Sequence, residues 1–163
     1  MPFGKYTGNS IEQIILKDYK YFTWAHQIVS SKSIKKRFDF VEYVVNNFVS
    51  KKPCSLDKNP AKHISIYNSY NNYRGSSQGF LYCSSDCFNN DTKVLNIKAI
   101  LEPLQFKTAL SSTKFDTNQL VDIMANCMGI KEGRKTKEYL EDFFNNTETY
   151  KHKEENKLIR RFF

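Results

Sequence analysis

Four side chains able to bind a soft metal ion, Cys54, His63, Cys83 and Cys87, fall within 34 residues of a stretch poor in other core formers. Tetrahedral zinc needs four thiolate, imidazole or carboxylate donors, usually delivered as two close pairs from separate turns. The first pair here is C-x8-H and the second C-x3-C, nineteen residues apart. The run "YCSSDC" sets two thiols on one turn beside a strand, which is the form a metal knuckle takes. Asp57 stands where the partner of a C-x2-C pair would fall, so it is an alternative to His63 as a ligand. The expected cofactor is one structural Zn2+. Cys127 lies on an apolar helical stripe and reads as packing, while His26 and His152 read as structural or solvent-facing.

The same donors argue against a catalytic metal, because four protein ligands leave no position for water. The chain carries no H-E-x-x-H or H-x-E pattern, no phosphate-cradling G-x-x-x-x-G-K loop and no G-x-S-x-G elbow. Asp39 with Glu42, and Glu141 with Asp142, lack the partner carboxylates of a two-metal nuclease and read as solvated helix faces. No catalytic residue is assigned.

The elements that would position these groups follow from period and punctuation. "NSIEQII" starts a helix, with Ser10 and Gln13 spaced as a capping box. Asp18 is spaced to cap a second helix, "YKYFTWAHQIV", with Phe22, Ala25, Ile28 and Val29 on one face. A third follows, in which Ile34, Phe38, Val41, Val45 and Phe48 step by four and three. Pro53 ends it. "HISIY" alternates as a strand does, "GFLYCSSDCF" reads as a strand running into a turn, and "KVLNIKAIL" reads as a further strand closed by Pro103. Leu120, Ile123, Met124 and Cys127 then form a helical stripe closed by Gly129, and "TKEYLEDFF" is a last helix. The expected fold is an α+β protein with three regions: helices over 1–53, a zinc-tied antiparallel β segment over 54–105, and a helical region over 106–163, together forming one compact unit.

Charge narrows the partners. The chain of 163 residues carries a net charge of +8. Residues 1–53 hold nine Lys/Arg against four Asp/Glu, the largest local excess. Such a balance favours anionic partners, nucleic acid first among them. Lys35, Lys36 and Arg37 stand near the start of the third helix, the wrong end for its dipole, where a bound anion would relieve them. Tyr70, Tyr73 and Arg74 lie in a polar loop whose rings could stack on unpaired bases. No apolar run approaches a membrane span and the first twenty residues hold no signal-peptide pattern, so a soluble intracellular protein is expected.

The opening "PFGKYTGNSIEQIILKDYKYFTWAHQ" resembles the small C-terminal module attached to exodeoxyribonuclease-X-like and proofreading-type exonucleases. Phe3, Gly4, Lys5, Tyr6 and Gly8 match its turn, and Ile11, Asp18, Tyr21 and Trp24 match its helical part. The resemblance covers about the first 27 residues and implies a nucleic-acid-processing context rather than an activity. As a physical reading, Gly4 and Gly8 allow close backbone approach while Lys5 and Tyr6 supply a charge and a stacking face, or else Phe3 and Tyr6 pack a hairpin on the helices. Residues 117–143 are similar to the helix–turn–helix of SAP-type DNA-binding motifs, with Gly129, Gly133 and Lys135 near the turn. The expectation is a non-enzymatic, zinc-containing accessory protein that binds DNA or RNA through Lys5, Tyr6, Lys35, Lys36, Arg37, Tyr73 and Arg74. The alternative is a protein-interaction module, a subunit or inhibitor within a nucleic-acid-processing complex, presenting aromatics such as those of "IRRFF".

Overall fold

The computed structural model describes residues 4–68, 77–95, 99–111, 118–131, 133 and 135–146. Among them are seven helices and one three-stranded antiparallel sheet, an α+β fold with a small sheet. None of these helices is long and apolar enough to cross a membrane. Tyr70, Tyr73, Arg74, His152 and the "IRRFF" segment lie outside the described residues. The chain divides into two compact units, one from residues 1–48 with 130–163 and the other from residues 49–129.

The first unit contains α1 (Ile11–Ile15), α2 (Tyr19–Ile28), α3 (Lys32–Asn47) and the helix nearest the C-terminus, α7 (Lys137–Asn145). The α1 helix is only five residues long, so its ends must be held by side chains. Ser10 Oγ accepts from Gln13 N while Gln13 Oε1 accepts from Ser10 N, forming the capping box the spacing predicts. Ile14, Ile15, Phe22, Phe38, Val41, Leu140 and Phe144 are fully buried, each such side chain contributing about 1.5–3 kcal/mol. Phe22 and Phe38 pack with centroids 5.0 Å apart. His26 stacks on Phe38, with Nε2 2.6 Å from Asp39 Oδ1. The α3 stripe is broader than its four-three spacing suggests: Phe40 and Val44 are buried too, while Ile34 is half-buried.

The opening turn is bound to this unit through Asp18. One carboxylate oxygen caps α2, accepting from Tyr21 N at 2.9 Å. The other accepts from Lys5 Nζ and Tyr6 Oη, both at 3.2 Å. Gly4 has a φ of +77°, and a Cβ there would collide with Tyr21 Oη, so only glycine fits. Burial opposes ionisation of Asp18, but the Tyr21 N–H, the Lys5 ammonium and the Tyr6 hydroxyl outweigh it and hold the carboxyl below its ordinary value. A depressed folded value stabilises above the unfolded value, about pH 3.9, and is lost as pH falls through the folded one. Asp18→Ala is therefore expected to cost about 1–2 kcal/mol at pH 7. Thermal melts of mutant and wild type should converge as pH falls through the depressed folded value of Asp18.

The second unit holds the sheet and three helices. Strand β1 (His63–Asn68) is central, flanked by β2 (Ser77–Tyr82) and β3 (Ile100–Pro103), with α4 (Ser85–Leu95), α5 (Phe106–Ser111) and α6 (Asn118–Met128) around it. Ile64 pairs with Leu81 and Glu102, which fixes the register on both sides. Ile64, Ile66, Phe106, Leu120, Met124 and Met128 form its core. One expectation is corrected. The segment read as one strand, "KVLNIKAIL", divides: its first three residues end α4, residues 96–98 lie outside the described residues, and β3 begins at Ile100. The apolar residues of "SDCFNNDTKVL" recur at helical rather than strand spacing, with Phe88 edge-on to Tyr82 at 5.5 Å. The α5 helix, too short to show a period, was not foreseen in the sequence.

Candidate metal centre

The segment between Val49 and β1 is closed into a loop by main-chain bonds. Pro53 and Pro60 form an isolated antiparallel bridge, Cys54 N donates to Asn59 O at 2.8 Å, and Ala61 N donates to Lys52 O at 3.1 Å. Ser55 N donates to Leu81 O at 2.7 Å and Lys62 N to Tyr82 O at 2.9 Å. These two bonds dock the loop on the end of β2, where Cys83 follows. Cys87 lies one turn further on, at the start of α4, with its N–H donating to Ser84 Oγ at 3.3 Å. Tyr82, nearly fully buried, donates to Asp91 Oδ2 at 2.6 Å and so anchors α4 to the strand.

Cys54, Asp57, Cys83 and Cys87 converge here, with one donor atom of each lying within 4.8 Å of all the others. Cys83 Sγ is 3.2 Å from Asp57 Oδ2 and 3.5 Å from Cys87 Sγ, and Cys87 Sγ is 3.6 Å from Asp57 Oδ2. Such a set could hold a metal ion. Asp57 is aimed by an Asx turn and the side chain of Asn59: Oδ1 accepts from Asn59 N at 2.8 Å, and Oδ2, which faces the thiols, also accepts from Asn59 Nδ2 at 3.1 Å. No disulfide is formed.

The electrostatics divide the thiols. Burial opposes the Cys54 thiolate, but the backbone N–H groups of Leu56, Asp57 and Cys83 outweigh it and lower its pKa. Donors at the second and third residues after a cysteine are what a tight thiolate turn supplies. Cys83 is pushed up to about 12, first by its bond to the Asp57 carboxylate, then by burial and the neighbouring sulfurs. The same bond holds Asp57 below its ordinary value. A metal ion entering here displaces the Cys83 proton, so binding releases acid.

Of the four residues expected from sequence, the structure gathers Cys54, Cys83 and Cys87, while Asp57, the alternative, takes the fourth corner. His63 is outside the group. It opens β1 opposite Tyr82 and Pro103, and its Nδ1 is buried with no hydrogen-bond partner among the described residues. Cys127 is buried on α6, as its stripe predicts. Of the expected nucleic-acid contacts, Tyr73 and Arg74 lie outside the described residues. Lys5 and Tyr6 are engaged by Asp18; Arg37 by Glu12 and Asn145. Lys35 and Lys36 are exposed on α3, whose Ser31 makes no side-chain cap bond and whose first turn holds no acid. Sequence reasoning gave no role to Lys51, Lys52, Lys58 and Lys62, all exposed on the segment that carries Cys54 and Asp57. The signal was four lysines in twelve residues with Asp57 as the one acid among them.

Comparison with protein-family models, with curated proteins and with solved structures finds no match to this chain.

Proposed function

We propose that this is a non-enzymatic nucleic-acid-binding accessory protein in which a structural zinc ion shapes a lysine-bearing loop. The observation that carries the reading is the quartet Cys54, Asp57, Cys83 and Cys87, set beside exposed lysines on the same segment. Zinc–sulfur bonds of about 2.3 Å and zinc–oxygen bonds of about 2.0–2.2 Å place tetrahedral neighbours about 3.5–3.8 Å apart. The sulfur–sulfur separation of 3.5 Å and sulfur–oxygen separations of 3.2 and 3.6 Å lie within about 0.3 Å of three edges of that tetrahedron, and the Cys54 donor lies within 4.8 Å of the rest. Three thiolates favour a borderline or soft ion over calcium or magnesium, and the N–H groups aimed at Cys54 supply the outer hydrogen bonds such sites need. With four protein donors the sphere is closed, which gives the metal a structural role and no reaction.

The anionic partner follows from charge. Lys51, Lys52, Lys58 and Lys62 line the loop, while Lys35 and Lys36 sit near the uncapped start of α3. Affinity then comes mainly from phosphate contacts and released counterions, which makes it salt-dependent. About four phosphate contacts to a duplex give a log–log slope near −3.6, so binding should weaken about 100-fold between 50 and 200 mM salt. Fluorescence anisotropy with labelled random-sequence DNA and RNA checks this, alongside elemental analysis for one zinc per chain. Salt-insensitive or undetectable binding by the zinc-loaded chain would overturn the reading.

A further inference from the structure

The residues that match the exonuclease-associated module do more than close a turn. Lys5 Nζ lies 5.0 Å from the Tyr6 ring centroid, Tyr6 meets Tyr21 edge-on at 4.9 Å, and Tyr21 meets Trp24 at 5.1 Å. This ladder of rings runs from the opening turn onto α2 and ends at the surface. Trp24 is 47% exposed and Ile28, one turn on, is 49% exposed. Lys20, one turn before Trp24 on the same face, is also exposed.

The inward face of α2 is complete without them, since Tyr19, Phe22 and Ala25 are the buried residues of the helix. A large ring on the wet side therefore adds little to the core. A cation stands beside it: Lys20 is exposed and forms no ion pair with the described residues, and the same holds for Lys17, which precedes the helix. The α2 sequence contains no acid, and Asp18 at its cap is already engaged by Lys5, Tyr6 and Tyr21. An exposed aromatic face backed by the Tyr6 and Tyr21 rings, with a lysine beside it, is complementary to an unpaired base and its phosphate. An acidic protein would satisfy the lysine but give no reason for the ring to lie open next to it.

We propose that this face of α2, centred on Trp24 with Lys20 one turn before it, is a stacking platform for the bases of single-stranded nucleic acid. The proposal rests on the nucleic-acid reading above and adds a strand preference and a residue. Trp24 carries the base, Tyr21 and Tyr6 buttress its ring, and Lys20 meets a neighbouring phosphate. Base–aromatic stacking tolerates any sequence, because every base has a π-face.

Trp24 is the only tryptophan in the chain, so its emission reports on this face alone. The experiment titrates the zinc-loaded full chain with labelled oligo(dT), oligo(U) and a duplex of equal length, recording probe anisotropy and tryptophan emission together. The expected result is quenching by a single strand with the same midpoint as anisotropy, and weaker quenching by the duplex. Whichever of oligo(dT) and oligo(U) binds more tightly identifies DNA or RNA. Trp24→Ala should weaken single-strand binding about 5- to 150-fold with an unchanged melting temperature. Trp24→Phe should restore much of it, and Lys20→Gln should lower the magnitude of the salt slope by about 1. Anisotropy binding with unquenched emission and an unaffected Trp24→Ala variant would overturn the platform and leave the nucleic-acid reading standing. Absence of binding to all three probes would overturn both.

Discussion

Cys83→Ser is expected to abolish metal binding and to unfold residues 49–129. Cys83 touches two other members of the quartet, Asp57 at 3.2 Å and Cys87 at 3.5 Å, and lies next to Tyr82, the buried anchor of α4. A serine hydroxyl stays protonated at neutral pH and is no substitute for a thiolate. Because the donor set is scarcely assembled in the unfolded chain, metal binding energy is folding energy. Elemental analysis should fall from one zinc per chain to none. The melting transition of this unit should drop by more than about 10 °C or disappear, and a chelator should reproduce the effect on the wild type. His63→Ala is the discriminating control: it should retain the metal, whereas Asp57→Ala should weaken its binding. The reverse pattern would put His63 in the fourth corner.

Arg37→Ala carries the second-largest expected effect, and it falls on stability rather than on binding. Glu12 is 2% exposed at its side chain, and its Oε1 receives Arg37 Nε at 2.6 Å and Nη2 at 2.5 Å. Arg37 also donates to Asn145 at 2.8 Å and lies 5.0 Å from the Phe40 ring centroid. Removing the guanidinium leaves a buried carboxylate without its counter-charge, which costs about 3–5 kcal/mol. Chemical denaturation should show the midpoint falling by more than about 1 M urea. Arg37→Lys should recover only part of the loss, since an ammonium cannot make the forked contact. The double change Glu12→Gln with Arg37→Met should lie nearer the wild type than either single change, because no charge is then left buried. A drop in nucleic-acid affinity at unchanged stability would instead make Arg37 a phosphate contact.

Local signals in the sequence are legible where a short-range rule decides the outcome. The Ser10–Gln13 box, the Asp18 cap and Gly129 at the end of α6 each depend on a few neighbouring residues, and each is formed. Features set at longer range are not. The spacing C-x8-H is compatible with a metal pair, but whether His63 or Asp57 reaches the thiols depends on how the loop docks on β2. That docking is made by main-chain bonds such as Ser55 N to Leu81 O, which leave no trace in residue type. Arg37 sits in a run of like charges and reads as part of a basic face. Its partner Glu12 is twenty-five residues away, and only tertiary packing reveals it. The α4 helix is hidden because its first turn carries a cysteine whose chemistry points toward a knuckle.

The bond from Lys51 N to Cys127 O, 2.7 Å long, joins the two ends of the inner unit, which interrupts another built from residues on either side of it. This has a consequence for the order of maturation during synthesis. Helices α1 to α3 leave the ribosome first, yet Leu140 and Phe144, which are fully buried on α7, have not been made. At about 5–20 residues per second, the interval between the end of α3 and the start of α7 lasts roughly 5–20 s. All four metal donors emerge within that interval. The nascent chain can therefore assemble the quartet, and any ion it holds, before α7 exists, whereas the unit of residues 49–129 closes only once Cys127 is made, and the unit that contains α7 is completed last.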